Sequence, residues 1–259
     1  MSTVGTVDSL FDVSSKTVLV TGGSRGIGRM IATGFVERGA KVYISSRKES
    51  ELRATADEIG ATALPADLST EAGALALAAE VAERESALHV LVNNAGATWG
   101  AGLMEYPDAA FDKVFSTNVK GPFSLTRALL PQLEKAVAPG DPARVIMIGS
   151  IEGIMVPAWE NYAYPASKAA VHMLTRQLAA RLCPNITVNA IAPGLFASKM
   201  TAFVFDDDPA AAAIPERIPL KRAGEPGDMA GAAVFLASKA GAYLTGAVIP
   251  VDGGLSTHG

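Results

Sequence analysis

The sequence predicts an α/β fold in which a parallel β-sheet carries helices on both faces. Short runs rich in Val and Ile alternate along the 259-residue chain with longer windows of helical periodicity, an order typical of repeated β-α-β units. Most of the strand runs are continuously apolar instead of alternating between apolar and polar residues, which indicates strands buried on both faces of a sheet. Together these two observations predict a doubly wound sheet, because parallel strands need helical crossovers between them.

Seven strands are predicted in chain order. They cover residues 17–21, 41–45, 61–66, 89–93, 144–149, 186–192 and 247–251. Windows with helical spacing separate them, the clearest at 74–85 and 169–182. The stretch 139–142, Pro-Gly-Asp-Pro, predicts a turn before the fifth strand, and the connection 195–217 has a length that is usually functional. No stretch rich in Pro, Gly and Ser divides the chain, so a single domain is predicted for residues 1–259.

Composition excludes several classes of protein. The 22 basic and 26 acidic residues give a net charge of −4 without a basic stripe, so no nucleic-acid partner is expected. No secretory signal and no apolar run long enough for a membrane span is seen, which favours a cytoplasmic protein. Cys183 is the one cysteine, and we expect it to be a small buried or half-buried hydrophobic residue. The three histidines, His89, His172 and His258, lack the spacing of metal ligands, so no metal is expected.

A glycine-rich loop follows the first strand directly. Residues 21–28 read Thr-Gly-Gly-Ser-Arg-Gly-Ile-Gly and open a helical window, which is the context of a dinucleotide-binding turn. Gly22 allows the sharp turn, Gly26 lets the backbone approach a pyrophosphate, and Gly28 allows close packing of helix on strand. The free N–H groups of the helix start then face the phosphate. With this loop, the fold class becomes a Rossmann-type sheet.

The end of the second strand predicts which dinucleotide binds. Sites for NAD usually place a carboxylate here on the ribose hydroxyls. In this chain Ser45 and Ser46 occupy the segment, Arg47 and Lys48 follow, and Arg25 lies within the glycine loop. The absence of a carboxylate and the presence of these cations favour binding of a 2′-phosphate, so NADP(H) is predicted over NAD.

Four polar residues form a candidate catalytic set. Tyr164 and Lys168 are four apart and would share one face of a helix. A lysine ammonium beside a phenol is expected to lower the tyrosine pKa towards neutral and make it a general acid or base. Ser150 ends the fifth strand, at the edge where open sheets bind ligands, and Asn118 falls in a helical window. Tyr162, six residues before Lys168, would point to another face of the helix.

The chain resembles the short-chain dehydrogenase/reductase family over nearly its whole length. The glycine spacing G-x-x-x-G-x-G, Asn-Asn-Ala-Gly at 93–96 and the order Asn118, Ser150, Tyr164, Lys168 carry this resemblance. It implies a cofactor half up to about residue 150 and a catalytic and substrate half after it. The cofactor-binding residues then expected are Gly22, Ser24, Arg25, Gly26, Ile27, Gly28, Arg47, Asp67, Leu68, Asn94, Ala95, Gly96, Tyr164, Lys168, Pro193, Gly194, Phe196 and Ser198.

The family resemblance also implies a mechanism of carbonyl reduction and an assembly. Ser150 is expected to hold the substrate oxygen, Tyr164 to donate the proton, and Lys168 to bind the nicotinamide ribose. Asn118 is expected to hold a water that relays protons to Lys168. The family further implies a homotetramer, with helices near 111–133 and 162–182 pairing at one interface and the segment 241–254 lying at another.

Apolar residues after several strands predict a substrate mouth with few charges. They are Trp99, Met104, Met155, Trp159 and Met200. Such a mouth favours a hydrophobic ketone over a phosphorylated sugar, although half of these residues could equally pack a lid or a subunit contact. Segments including 65–74 and 241–254 are similar to 3-oxoacyl-[acyl-carrier-protein] reductases, especially the branch associated with rhamnolipid synthesis.

The sequence leaves the form of the substrate open. Lys135 and Arg181 stand where carrier-protein reductases present basic clusters, but no cluster surrounds them, so docking of an acidic carrier is doubtful. A free ketone or a coenzyme A thioester fits as well. Polyol, sugar or steroid dehydrogenases share the same site pattern, and a non-catalytic NADP-binding regulator is the more distant alternative because such proteins commonly lose the Tyr or Lys.

Overall fold

The computed structural model describes residues 7–157, 159–196 and 217–257. At its centre is a parallel sheet of seven strands in the order β3-β2-β1-β4-β5-β6-β7. The strands are β1 Thr17–Thr21, β2 Lys41–Ser46, β3 Thr62–Pro65, β4 Val90–Asn93, β5 Ala143–Ile148, β6 Ile186–Pro193 and β7 Val248–Val251. Each predicted strand is confirmed to within one residue at either end. The strand order reverses between β1 and β4, which is where doubly wound sheets bind ligands.

Helices cover both faces of the sheet. They are α1 Val7–Leu10, α2 Gly26–Glu37, α3 Glu49–Ile59, α4 Glu71–Arg84, α5 Asp108–Phe115, α6 Gly121–Ala128, α7 Leu130–Lys135, α8 Ala163–Leu182 and α9 Pro226–Ala237. Short 3₁₀ turns cover Leu103–Glu105, Ile151–Gly153, Lys239–Gly241 and Leu255–Thr257, and a π-helical turn covers Ser116–Lys120. The predicted fold class is therefore confirmed.

Two helices begin earlier than their periodicity indicates. The α4 helix starts at Glu71 because the Thr70 hydroxyl accepts a hydrogen bond from the Gly73 N–H, at 3.1 Å, and so caps the helix start. The α8 helix starts at Ala163. It tolerates Pro165 in its first turn, because N–H groups at that position have no acceptor within the helix and proline loses no hydrogen bond there. This early start places Tyr164 within α8, together with Lys168.

The continuously apolar strands produce one core on each face of the sheet. Every residue of β1, β4, β5 and β6 is buried. Alternate residues along β1 divide between the faces: Val18 and Val20 pack with α2 and α9, while Leu19 packs with α4 and α6. This burial on both sides explains why the strand runs lack polar alternation.

A buried guanidinium holds the amino ends of the strands, opposite the ligand-binding edge. Arg144 is 1% exposed and donates to the Leu236 and Ser238 carbonyls at 3.1 and 3.0 Å. Asp141 pairs with Arg144 at 2.9 Å and with Lys16 at 2.8 Å. The predicted turn at 139–142 therefore supplies a carboxylate that two buried cations share.

The prediction for Cys183 is wrong, and several other predictions concern residues outside the described ranges. Cys183 is exposed, because α8 ends at Leu182 and leaves the cysteine in the turn before β6. Ser198, Met200, His258 and most of the connection 195–217 lie outside the described ranges. Within those ranges, no helix is long and apolar enough to cross a membrane, and no cluster of His, Cys, Asp or Glu could hold a metal ion.

Candidate active site

The glycine loop forms a tight cradle between the end of β1 and the start of α2. Gly22 and Gly26 have φ angles of +66° and +52°, which favour glycine. A Cβ atom on Gly28 would lie 2.3 Å from the Gly22 carbonyl oxygen and 2.4 Å from Asn94 Nδ2. The loop thus exposes backbone N–H groups at the N-terminus of α2, a ready site for a phosphate.

The turn after β4 is tied to this cradle by hydrogen bonds. Asn94 Nδ2 donates to the Thr21 carbonyl at 2.8 Å and to the Gly22 carbonyl at 3.2 Å. The Thr21 hydroxyl accepts from the backbone N–H groups of Asn94 and Ala95 at 2.9 and 3.0 Å. Asn94, Ala95 and the glycine loop therefore lie side by side, an arrangement that is compatible with the shared cofactor contact that the family resemblance implies.

The end of β2 offers polar atoms and cations beside the loop. Among the described residues, the buried hydroxyls of Ser45 and Ser46 have no hydrogen-bond partner. The Arg25 side chain is half exposed, 3.8 Å from Glu51, and Arg47 acts electrostatically on Asp67 at the end of β3. Although burial opposes it, bonds from Ser69 and the charge of Arg47 hold the pKa of Asp67 below its usual value. Unpartnered hydroxyls next to cations fit a bound 2′-phosphate.

Other predicted cofactor residues lie along the same edge. The Leu68 side chain is 6% exposed and packs into the core, so its backbone is what remains near the edge. At the end of β6, the Gly194 N–H donates to the Val251 carbonyl at 3.0 Å. Phe196 is 2% exposed, and its ring fills the space against Gly224. A predicted cofactor contact of Phe196 would therefore use its backbone.

Asn118 lies in the π-helical turn and is 2% exposed. Its Nδ2 atom donates to the Ala97 carbonyl at 3.0 Å and to Ser167 Oγ at 2.9 Å, and its Oδ1 atom accepts from the Ala97 N–H at 2.7 Å. Both amide hydrogens are thus engaged, and the side chain ties the turn after β4 to α8. π turns are frequent at functional sites. The water relay through Asn118 stays a prediction, one that its backbone carbonyl would have to serve.

Ser150, Tyr164 and Lys168 converge at the carboxyl ends of β5 and β6. The Ser150 hydroxyl is 7% exposed, accepts from the Glu152 N–H at 3.1 Å and lies within hydrogen-bonding reach of the Tyr164 phenol. Lys168 Nζ lies 5.4 Å from the Tyr164 ring centroid and donates to the Ile148 carbonyl at 2.7 Å. An ammonium group has three donors, so Lys168 can bind further oxygen atoms.

The pKa of Tyr164 is shifted in the direction opposite to the one that the sequence predicts. Burial, followed by the charge of Glu152, raises the pKa of Tyr164, and the hydrogen bond with Ser150 opposes the rise only in part. The expected fall of this pKa beside Lys168 is therefore wrong for this structure, because burial removes the hydration that a phenolate needs. Burial lowers the pKa of Lys168 to about 8, against the charge of Glu152. Tyr164 is consequently a protonated phenol at neutral pH.

Tyr162 and Tyr164 have different surroundings despite their proximity. The Tyr162 hydroxyl donates to Glu160, and its ring packs edge to face on Tyr106 with centroids 5.4 Å apart. It takes no part in the contacts of Ser150 or Lys168. Spacing from Lys168 therefore separates the two tyrosines correctly.

The predicted substrate mouth is rich in exposed apolar side chains. Trp99 is 43% exposed, Met104 89% and Trp159 36%, while Met155 is half-buried. Lys113 lies over the Trp99 ring at 5.9 Å. Sequence reasoning missed two further exposed apolar residues beside the 3₁₀ turn after β5, Ile154 and Val156. Their position directly after a strand end, at the ligand-binding edge, is the signal that would have found them.

Glu152 and His172 also escaped the sequence analysis as parts of this site. The Glu152 carboxylate accepts from Trp159 Nε1 at 3.0 Å and Asn161 Nδ2 at 2.8 Å. His172 is 4% exposed and packs against Gly149, which precedes Ser150. An acid directly after a strand end could have signalled Glu152, whereas His172 lies one turn beyond Lys168 and only packing reveals its contact.

Comparisons with known proteins identify relatives of this chain along nearly its whole length. A family model described as enoyl-(acyl carrier protein) reductase matches residues 22–256. The chain is 48% identical over 249 residues to a rhamnolipids biosynthesis 3-oxoacyl-[acyl-carrier-protein] reductase of Pseudomonas aeruginosa, covering 94% of this chain and 97% of that protein. It is 36% identical over 252 residues to a galactitol 2-dehydrogenase (L-tagatose-forming) of Cereibacter sphaeroides, covering 95% and 97%. A solved RhlG/NADP active-site complex from Pseudomonas aeruginosa aligns with a TM-score of 0.92 at 47% identity, covering 96% and 99%.

Proposed function

Because the chain belongs to the short-chain dehydrogenase/reductase family, whose members are oxidoreductases, we propose that it reduces a hydrophobic ketone to a secondary alcohol with NADP(H). The observation that carries this proposal is the meeting of Ser150, Tyr164 and Lys168 at the sheet edge that also holds the glycine cradle. A 3-oxoacyl thioester is the substrate class that the relatives favour. Bound NADPH would supply the hydride that reduces the carbonyl carbon.

The residues present fit NADP(H). The cradle at Gly22, Gly26 and Gly28 would hold the pyrophosphate, and the solved relative with high similarity is an NADP complex. Arg25, Arg47 and the unpartnered Ser46 hydroxyl would hold the 2′-phosphate. The remaining contacts we propose come from Ser24, Ile27, Asp67, Leu68, Asn94, Ala95, Gly96, Lys168, Pro193, Gly194, Phe196 and Ser198.

The side chains of this site can complete the reduction by handling one proton. Ser150 donates a hydrogen bond to the carbonyl oxygen as it gains negative charge. The protonated phenol of Tyr164 transfers its proton to that oxygen, which completes the alcohol. Lys168 stabilises the phenolate that remains and binds the ribose hydroxyls, since Ile148 engages only one of its donors. Asn118 holds the turn after β4 in place for this arrangement.

The substrate class follows from the chemistry of the mouth. Trp99, Met104, Met155 and Trp159 offer apolar surface, and Met200 would join them. An apolar mouth contributes most to binding of an acyl chain or a cyclic hydrophobic ketone. It contributes least to a polyol, the substrate class named for the galactitol relative. Since Lys135 and Arg181 are exposed without a basic cluster, a free ketone or a coenzyme A thioester remains as suitable as an acyl carrier protein.

Tyr164→Phe tests this function, with Tyr162→Phe as the matched control. NADPH oxidation is measured with a 3-oxoacyl coenzyme A thioester, a simple β-keto ester, a cyclic ketone and a polyol in reverse. We expect Tyr164→Phe to lose turnover by about a thousandfold or more while binding NADPH normally, because only the proton donor is removed. Tyr162→Phe should keep its turnover. Normal turnover in Tyr164→Phe, or activity confined to the polyol, would contradict the proposal.

We propose a homotetramer as the functional assembly. Exposed aromatic and Met side chains on α5, α6 and α8 support it: Phe111 is 40% exposed, Phe123 40% and Met173 60%. Large exposed apolar side chains on neighbouring helices are typical of subunit interfaces. A monomer by light scattering would contradict this assembly.

A further inference from the structure

Glu152 occupies a position between the two catalytic elements. It lies in the 3₁₀ turn Ile151–Gly153, two residues after Ser150, and its own N–H donates to the Ser150 hydroxyl at 3.1 Å. This bond uses an acceptor site of the hydroxyl and not its hydrogen, which can donate to a substrate oxygen in place of the Tyr164 phenol. The backbone of Glu152 therefore orients the hydroxyl that receives the substrate.

The Glu152 carboxylate bridges this turn to the start of the catalytic helix. Its two oxygens accept from Trp159 Nε1 at 3.0 Å and from Asn161 Nδ2 at 2.8 Å. Asn161 is 8% exposed, and its carbonyl accepts from the Tyr164 N–H at 2.8 Å. One continuous chain of hydrogen bonds thus runs from Ser150 through Glu152 and Asn161 to Tyr164. Bonds to an ionised carboxylate are stronger than those between neutral groups.

The same carboxylate is a charge close to the reacting groups. Its charge raises the pKa of both Tyr164 and Lys168, in each case beside a larger effect of burial. Besides Tyr164 and Lys168 themselves, which face each other on α8, the neighbouring ionisable group is His172, which burial keeps neutral. Glu160 lies near in sequence but bonds to Tyr162 and acts on that phenol instead.

We propose that Glu152 is a positioning residue, which fixes the Ser150 turn against the start of α8 and whose negative charge favours the protonated form of the Tyr164 phenol. The proposal rests on the proposed function for its role in turnover, because carbonyl reduction consumes the proton on Tyr164. Electrostatic preorganisation of this kind acts through the reacting group without touching the substrate.

Three variants separate the bridge from the charge. Glu152→Gln removes the charge but keeps the length of the side chain, and it can still bond both partners if the Asn161 amide turns so that its unpartnered Oδ1 accepts. Glu152→Asp keeps the charge but is one methylene too short for the bridge. Glu160→Gln is the matched control, because it removes a nearby negative charge that acts on Tyr162 only.

The pH profiles of ketone reduction and alcohol oxidation provide the first readout. In Glu152→Gln we expect the limb that reports Tyr164 to move to lower pH by about one unit in both directions. Glu152→Asp should leave the limb in place and lower kcat. The proposed role of the Glu152 charge would be overturned if the pH profiles of Glu152→Gln coincided with those of the wild type. An equal shift in Glu160→Gln would overturn it as well.

Two further readouts do not depend on turnover. The Cζ resonance of Tyr164 in ¹³C-tyrosine-labelled protein, assigned through Tyr164→Phe, follows the ionisation of the phenol directly. Among the three variants, only Glu152→Gln should lower the pH midpoint of this titration. In a Trp99→Phe background, Trp159 is the remaining tryptophan. Its fluorescence should change in Glu152→Asp and stay unchanged in Glu152→Gln. If no ketone is turned over but both readouts behave as expected, the proposed function fails and the role of Glu152 stands. Coincident titrations and unchanged fluorescence would overturn that role.

Discussion

Because His172 is buried, we predict that the free energy of unfolding decreases in mild acid. Its imidazole is 4% exposed, lies one turn beyond Lys168 and packs so closely that a Cβ on Gly149 would come within 2.2 Å of Nε2. Burial, with Lys168 and Arg176, lowers the pKa of His172 to about 4 from its ordinary value of 6.5, against a hydrogen bond with the Gly153 backbone. The folded protein therefore resists a proton that the unfolded chain accepts readily.

The sign and size of the effect follow from linkage. Because the pKa is lower in the folded state, the unfolded state binds the proton first, and stability falls as the pH decreases from about 6.5 towards about 4. With these two pKa values, lowering the pH from about 7 to about 5 costs about 2 kcal/mol of the free energy of unfolding. That is a substantial part of the stability of a typical domain.

The assay compares urea unfolding of the wild type and His172→Asn at both pH values and at one fixed protein concentration. Asparagine can still donate to the Gly153 backbone but does not titrate. The variant has its own offset at neutral pH, yet its loss on acidification should be smaller by about 2 kcal/mol. His89 is present in both proteins, so its contribution cancels. Equal losses in the two proteins would refute the neutral, buried state of His172.

Three further predictions concern the cradle, the buried cation and cofactor choice. Gly28→Ala should weaken NADPH binding about tenfold or more in a fluorescence titration, since its Cβ would lie 2.3 Å from the Gly22 carbonyl oxygen. The control Gly231→Ala, which meets open space in the middle of α9, should keep affinity and stabilise by about 1 kcal/mol. Arg144→Met should lower the free energy of unfolding by about 3 kcal/mol, because Asp141 and the Leu236 and Ser238 carbonyls lose their donor; an unchanged urea midpoint would contradict this. Arg47→Ser should raise KM for NADPH about tenfold and leave that for NADH unchanged, whereas equal changes would rule out a role at the 2′-phosphate.

Much of the fold could be predicted because its signals are local. Strand burial on both faces leaves continuous apolar runs, and all seven strands are found within one residue of prediction. Helix starts were less accurate, since they depend on single contacts such as that of the Thr70 hydroxyl with the Gly73 N–H. The exposure of Cys183 was missed because it depends on where α8 ends and not on the residue type.

By itself, the sequence determined the sheet, the glycine cradle and the identity of Tyr164 and Lys168, because each depends on spacing within one element or at one strand end. Only the tertiary structure decided the state of those groups. Burial together with Glu152 keeps Tyr164 protonated. The Asn118 amide donates hydrogen bonds to Ala97 and Ser167, which lie 21 and 49 residues away along the chain. Hydration and charge at an atom are set by every group packed around it, and those groups come from distant parts of the chain.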